Sequence, residues 1–145
     1  IFCTKEDLAG CSGLALGSAT RFGNMAAPMK YFLDSTAALW AGLHLVGKPA
    51  SVFCSSGSLH GGQESTLLTM MVPLLHHGMV IQGLPYSHPE LNSTRSGGTP
   101  YGVTHVQSSG DLNDGAKLSA EETALAEAAG QQLAELALKI TGASN

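Results

Sequence analysis

The sequence predicts an α/β domain built on a parallel sheet, and three observations predict it. Short apolar runs of the kind buried in parallel sheets recur at 13–17, 50–54 and 79–82. Amphipathic stretches of helical length separate them, and the first two runs each open into a turn rich in glycine and serine. Strand, helix, strand, helix, strand in that order makes right-handed parallel crossovers, with helices on both faces of the sheet.

Residues 5–12 are polar and read as a loop or short turn before the first strand. The turn at 17–24, Gly-Ser-Ala-Thr-Arg-Phe-Gly-Asn, leads into a helix over 25–41, where Met25, Met29, Phe32, Thr36 and Trp40 share one stripe. Asn24 is a candidate cap, and Pro28 falls in the first turn, where little hydrogen bonding is lost. The run at 50–54 enters a second turn at 55–62. Residues 63–77 then show helical spacing through Leu67, Met70, Met71, Leu74 and Leu75; Pro73 is expected to kink this helix and Gly78 to cap it. From 83 to 115 periodicity disappears, and Pro85, Pro89, Gly97, Gly98 and Pro100 punctuate one long loop. Ser-Ala-Glu-Glu at 119–122 is a capping box, and Leu125, Ala129, Leu133, Leu136 and Ile140 place an apolar stripe on a final helix. Three strands leave the first as a bare edge.

With 145 residues and 43% hydrophobic composition, the expectation is one domain over 1–145. The net charge is -4, and the seven Lys and Arg residues are scattered singly, so no basic face is available for nucleic acid or for an anionic membrane. No apolar run has the length of a membrane span. Cys3, Cys11 and Cys54 form no CxxC pair, which predicts reduced thiols in a cytoplasmic protein. Cys54 reads as a small buried residue in preference to a reactive thiol. His60, His76 and His77 do not make a metal set: adjacent helix positions diverge by about a hundred degrees, and no carboxylate lies at ligand spacing. His77 is read as structural. Gly-Ser-Leu-His-Gly at 57–61 is not the serine-hydrolase elbow G-x-S-x-G, having Leu59 at the third position where that motif has Ser.

Five motifs occur in one order: Thr-Arg-Phe-Gly-Asn-Met at 20–25, Leu-Trp at 39–40, Ser-Ser-Gly-Ser-Leu-His-Gly-Gly-Gln-Glu at 55–64, His-His-Gly at 76–78 and Gly-Gly-Thr-Pro-Tyr-Gly at 97–102. With them the sequence resembles the WrbA-type NAD(P)H:quinone oxidoreductases from about Asp7 to Ile140. The resemblance implies a flavodoxin-like fold, FMN as cofactor, two-electron reduction of quinones by NAD(P)H in alternation through the flavin, and a homotetramer. It implies too that the family's first two strands, with the loop that cradles the FMN phosphate, have no counterpart in these residues, which accounts for the bare edge. Ala19 stands where the family usually has Pro, and the 55–62 loop is one residue longer than in some members.

The resemblance assigns Thr20, Arg21 and Phe22 to the segment running along the isoalloxazine. It assigns Ser55, Ser56, Gly57, Ser58, Gly61 and Gly62 to a second flavin loop, and His76 to a place beside the ring; donation of the second proton to the quinone is a separate expectation for His76. Trp40 is assigned to the nicotinamide and quinone pocket, reached from a neighbouring subunit. Without the resemblance, Trp40 reads as core or interface and His76 as a helix-end cap. The 97–102 segment reads as either a loop over the cofactor edge or a subunit contact. The alternative function is a non-catalytic flavodoxin-like binding or assembly module that has lost FMN.

Overall fold

The computed structural model describes residues 3–107 and 117–142. It begins with a short helix, α1 (Lys5–Gly10), where polarity alone predicted a loop. Thr4 and Asp7 explain the difference: Thr4 Oγ1 accepts the Asp7 amide at 3.1 Å while Asp7 Oδ2 accepts the Thr4 amide at 2.9 Å, a reciprocal cap that starts a helix. Strand β1 (Leu14–Ala19) follows, then α2 (Ala27–Asp34) and α3 (Ala37–Ala41). The spacing had predicted one helix over 25–41. The break falls at two hydroxyl residues that turn back on the chain, Ser35 Oγ donating to Phe32 O at 2.7 Å and Thr36 Oγ1 to Leu33 O at 2.6 Å. Such bonds compete with the helical ladder. Pro28 lies in the first turn of α2, but Ala26 is the cap residue; Asn24 Oδ1 accepts the Met25 amide instead.

Strand β2 (Pro49–Ser56) is the centre of the sheet. On one side it pairs in parallel with β1, from Leu14 opposite Ala50 to Ala19 opposite Ser55. On the other side the lane is shared: β3 (Val80–Ile81) takes Pro49 and Ala50, and β4 (Val103–Val106) takes positions 53–56. Residues 82–102, which include α5 (Glu90–Ser93), make an excursion between those two strands. Strand β4 lies inside the stretch predicted as one long loop, because Val-Thr-His-Val is too short to display a period. Residues 108–115 of that stretch lie outside the described residues.

Successive strand residues point to opposite faces. Ala50, Val52 and Cys54 are therefore buried together with Leu67, Met70 and Leu74 of α4 (Gln63–His76). Ala15, Phe53 and Val103 point the other way and line one concavity with Ala126, Ala129 and Gly130 of α6 (Ala120–Thr141). Helices thus lie on both faces of a parallel sheet, as the alternation predicted. Among the described residues β1 pairs with β2 alone, and Leu16 is its one buried residue, which agrees with an edge strand.

Candidate functional site

In a parallel sheet all strands end at the same rim, so the turns leaving β1 and β2 are neighbours there. The Thr20 amide donates to Ser55 O at 2.8 Å, extending the ladder past β1, and Thr66 Oγ1 donates to Thr20 Oγ1 at 3.2 Å. The Arg21 and Asn24 amides donate to each other's carbonyls at 2.8 and 3.0 Å, which leaves Phe22 and Gly23 as the tip of a tight turn with φ of 50° and 74°. Gly62, at φ 96°, faces that tip: a Cβ on it would lie 2.8 Å from Gly23 Cα. The two turns meet backbone to backbone, and glycine is what permits the approach.

These turns present unused donors. Among the described residues the amides of Phe22, Gly57, Ser58, Leu59 and His60 donate to no acceptor. The second turn keeps its shape through Ser56 Oγ donating to Ser58 O at 2.8 Å and the Gly61 amide donating to Ser58 O at 3.0 Å. Phe22 stands fully in solvent, and residues 57–61 are exposed. A row of free amides beyond the carboxyl ends of parallel strands suits the electron-rich edge of a planar cofactor. An open groove of about 830 Å³ runs from Arg21 and Phe22 along α2 to Tyr31 and Asp34, within the size range of cofactor sites. Cys54 is buried, its Sγ donating to Gln63 O at 3.5 Å, and burial pushes its thiol up despite the opposing influence of the Thr20 hydroxyl. It is a protonated, packed side chain, as its position in the sequence predicted.

Of the predicted site residues, Thr20, Arg21, Phe22, Ser55, Ser56, Gly57, Ser58, Gly61 and Gly62 are brought to this rim, with Ser55 and Ser56 forming the end of β2 rather than part of a loop. Trp40 and His76 are not. Helix α4 starts at the rim and runs back along the sheet, and its fourteen residues at about 1.5 Å each carry His76 about 20 Å away. There the His76 ring stacks on Trp40, centroids 5.6 Å apart and planes 25° from parallel. The pair borders a pocket of about 400 Å³ with Lys30, Asp34, Thr36 and His77. His77 is buried, and its tautomer follows from counting hydrogens. The Thr36 hydroxyl has one hydrogen, given to Leu33 O, so at 2.8 Å it accepts from His77 Nε2–H. Among the described residues Nδ1 remains a buried acceptor without a partner, and burial, followed by the neighbouring His76, holds the His77 pKa below its ordinary value.

A second pairing escaped the sequence reading. Glu122, known there only as part of a capping box, is buried and accepts four N–H donors. Gly97 and Val106 amides reach Oε1 at 2.8 and 3.1 Å; the Ser119 amide and His105 Nδ1 reach Oε2 at 2.9 and 3.0 Å. Burial alone would raise its pKa, but these donors outweigh that and hold it below the usual carboxylate value. The segment 97–102 is thereby fastened to its own chain, with the Gly98 amide donating to Thr104 Oγ1 at 2.7 Å as well. Among the described residues no three His, Cys, Asp or Glu side chains are placed to hold a metal, and no helix is long and apolar enough to cross a membrane.

The model of the NADPH-dependent FMN reductase family matches residues 4–89, more than half of the chain. The chain belongs to that family. Membership covers both rim turns, whereas β4 and α6 lie beyond the matched region. A protein from Chromohalobacter salexigens named NAD(P)H dehydrogenase (quinone) is 45% identical over 138 residues, covering 93% of this chain and 67% of the relative. Relatives of the same name from Geotalea daltonii and Solidesulfovibrio magneticus are 45% and 44% identical, covering 95% and 82% of this chain. The chain spans 67% and 58% of their lengths. The solved structure of a flavodoxin, WrbA-like protein from Agrobacterium tumefaciens matches with a TM-score of 0.71 at 19% identity, covering 92% of this chain and 71% of that one. The family member described here therefore has the flavodoxin-like fold.

Two outcomes follow from the geometry. Gly62→Ala places a side chain at a left-handed φ against Gly23, and the fold is expected to lose about 1–3 kcal/mol in urea denaturation; an unchanged midpoint would show that the turns do not touch. For His77, the folded pKa lies below the unfolded one, so above pH 6.5 both states are neutral. As pH falls from that value the unfolded chain gains a proton that the folded chain resists, and stability is lost. His77→Gln lacks this loss, so the stability difference between wild type and variant narrows on going from about pH 7 to about pH 5.5. A difference that stays constant or widens would contradict the assignment.

Proposed function

We propose that this chain forms the flavin-ring side of an FMN-dependent NAD(P)H:quinone oxidoreductase. The observation that supports it most is the row of unused amides at Phe22 and 57–60 on two turns locked together at Gly23 and Gly62. The names of the curated relatives point the same way. The residues fit the ring: the amides would hold its pyrimidine edge, where reduction places negative charge, and the exposed Phe22 offers an apolar face beside it. FMN, when bound there, would supply the two-electron relay between NAD(P)H and a quinone that use one pocket in turn. Arg21 stiffens the turn, its Nη1 donating to Thr20 O at 2.9 Å.

Trp40 and His76 lie too far from their own rim to serve it, so in this reading they close the pocket of a neighbouring subunit in a homotetramer. Trp40 would narrow that pocket, and His76 would hand a proton to the quinone oxygen. The first test is titration of the purified 145-residue chain with FMN, followed by flavin fluorescence. Quenching that saturates near one flavin per chain is expected; absence of saturable quenching would overturn the proposal and leave a non-catalytic binding module. In the flavin-loaded protein, His76→Ala is expected to slow quinone reduction at least about tenfold with flavin affinity unchanged. An unaltered quinone rate would remove His76 from the chemistry.

A further inference from the structure

We infer that His60, held by Glu64, is the positioning residue of the second rim turn, fixing the free amides of 57–60 in the arrangement that a flavin edge requires. The inference deepens the flavin reading above and rests on it for its ligand, while the anchoring itself is a property of the chain without FMN.

A row of free amides serves as a binding edge only if it keeps its shape while empty, because ordering a loop on binding costs affinity. The middle of the turn is held by Ser56 Oγ and the Gly61 amide, which both donate to Ser58 O. The last of the free amides belongs to His60, and His60 has a φ of 56°. That left-handed conformation is uncommon for a residue with a side chain, and glycines follow directly at 61 and 62. The side chain of His60 makes a contact that a third glycine could not.

His60 Nδ1 lies 2.7 Å from Glu64 Oε1, four residues on, in the first turn of α4. Burial would raise the Glu64 pKa, but its own backbone amide and the His60 imidazole outweigh burial and hold it below the usual carboxylate value. Glu64 is therefore an ionised acceptor at neutral pH, and His60 presents Nδ1–H to it. Glu64 is itself mounted on a helix whose next residues, Thr66, Leu67 and Met70, are buried. One hydrogen bond thus ties an exposed turn to the core. The His60 side chain is 75% exposed, and an exposed pair of this kind adds little to the stability of a fold. Its effect is local, on the amides that precede it.

The test compares the 145-residue chain with His60→Asn, Glu64→Ala, Glu64→Gln and the double variant His60→Asn/Glu64→Ala. Asparagine tolerates the left-handed conformation but is too short to reach Glu64, whereas glutamine at 64 keeps an oxygen acceptor in place. The readout without FMN is the nitrogen-15 relaxation of the amides of Gly57, Ser58 and Leu59. Their order parameters are expected to fall in His60→Asn and in Glu64→Ala, to fall no further in the double variant, and to recover in Glu64→Gln, with the urea midpoint little changed throughout. Titration with FMN is then expected to show about threefold weaker binding by the first two variants, the size of effect that an exposed pair supports, and unaltered binding by Glu64→Gln. Unchanged amide mobility in Glu64→Ala, an additive loss in the double variant, or no recovery with glutamine would each overturn the inference. So would increased mobility with unaltered FMN affinity. An unaltered chain that binds no FMN sinks the flavin reading instead, and the relaxation comparison then decides the anchoring by itself.

Discussion

The hydrogen-bond ladder of β2 is the constraint on which the other elements depend. It pairs with β1 along one edge and with β3 and then β4 along the other, so the other three strands of the described sheet are positioned by it. Its alternate side chains also set both helical layers: Ala50, Val52 and Cys54 fix the face that α4 covers, while Phe53 belongs to the face of α6. The rim turns inherit their relation from the same ladder, because Thr20 continues the register of β1 and Ser56 ends β2. A site made of two turns is only as precise as the strands behind them.

Glu122 is the corresponding fixed point at the other end of the chain. One carboxylate satisfies the start of α6, the end of β4 and the 97–102 segment at once. Burying a charge is costly unless its hydrogen-bonding capacity is filled, and here four N–H groups fill it. The result ties together three elements that the strand pairing alone would leave loosely joined.

How much of this could be read from the sequence depended on the range of the interaction. The run at 50–54, the helix opening at Gln63 and the capped helix from Ala120 were legible because each carries its own signal in apolar spacing or in a cap. The two rim turns were legible as turns through their glycines and serines, and the structure adds why glycine stands at 62. The short helix at Lys5–Gly10 had a signal in Thr4 and Asp7, outweighed by its polarity. The break at Ser35 and Thr36 was hidden because the apolar stripe runs straight through it. Strand β4 owes its existence to pairing with β2, a contact fifty residues distant that leaves almost no local trace. His105 and Glu122 meet for the same reason. The separation of His76 from the rim was likewise invisible until the direction of α4 was known.

The divided third lane has one more consequence. Ile81 and Val103 sit opposite Ala50 and Phe53, so the whole 82–102 excursion leaves and re-enters the sheet across a gap of two residues, Ser51 and Val52, on β2. Its neck is closed by the Leu84 amide donating to Pro100 O at 2.9 Å. Chain length between those two points is therefore uncoupled from sheet geometry: material can be added or removed beyond the neck while both half-strands keep their register. Evolution has in this place a port through which a flavodoxin-like sheet can acquire new surface without being rebuilt.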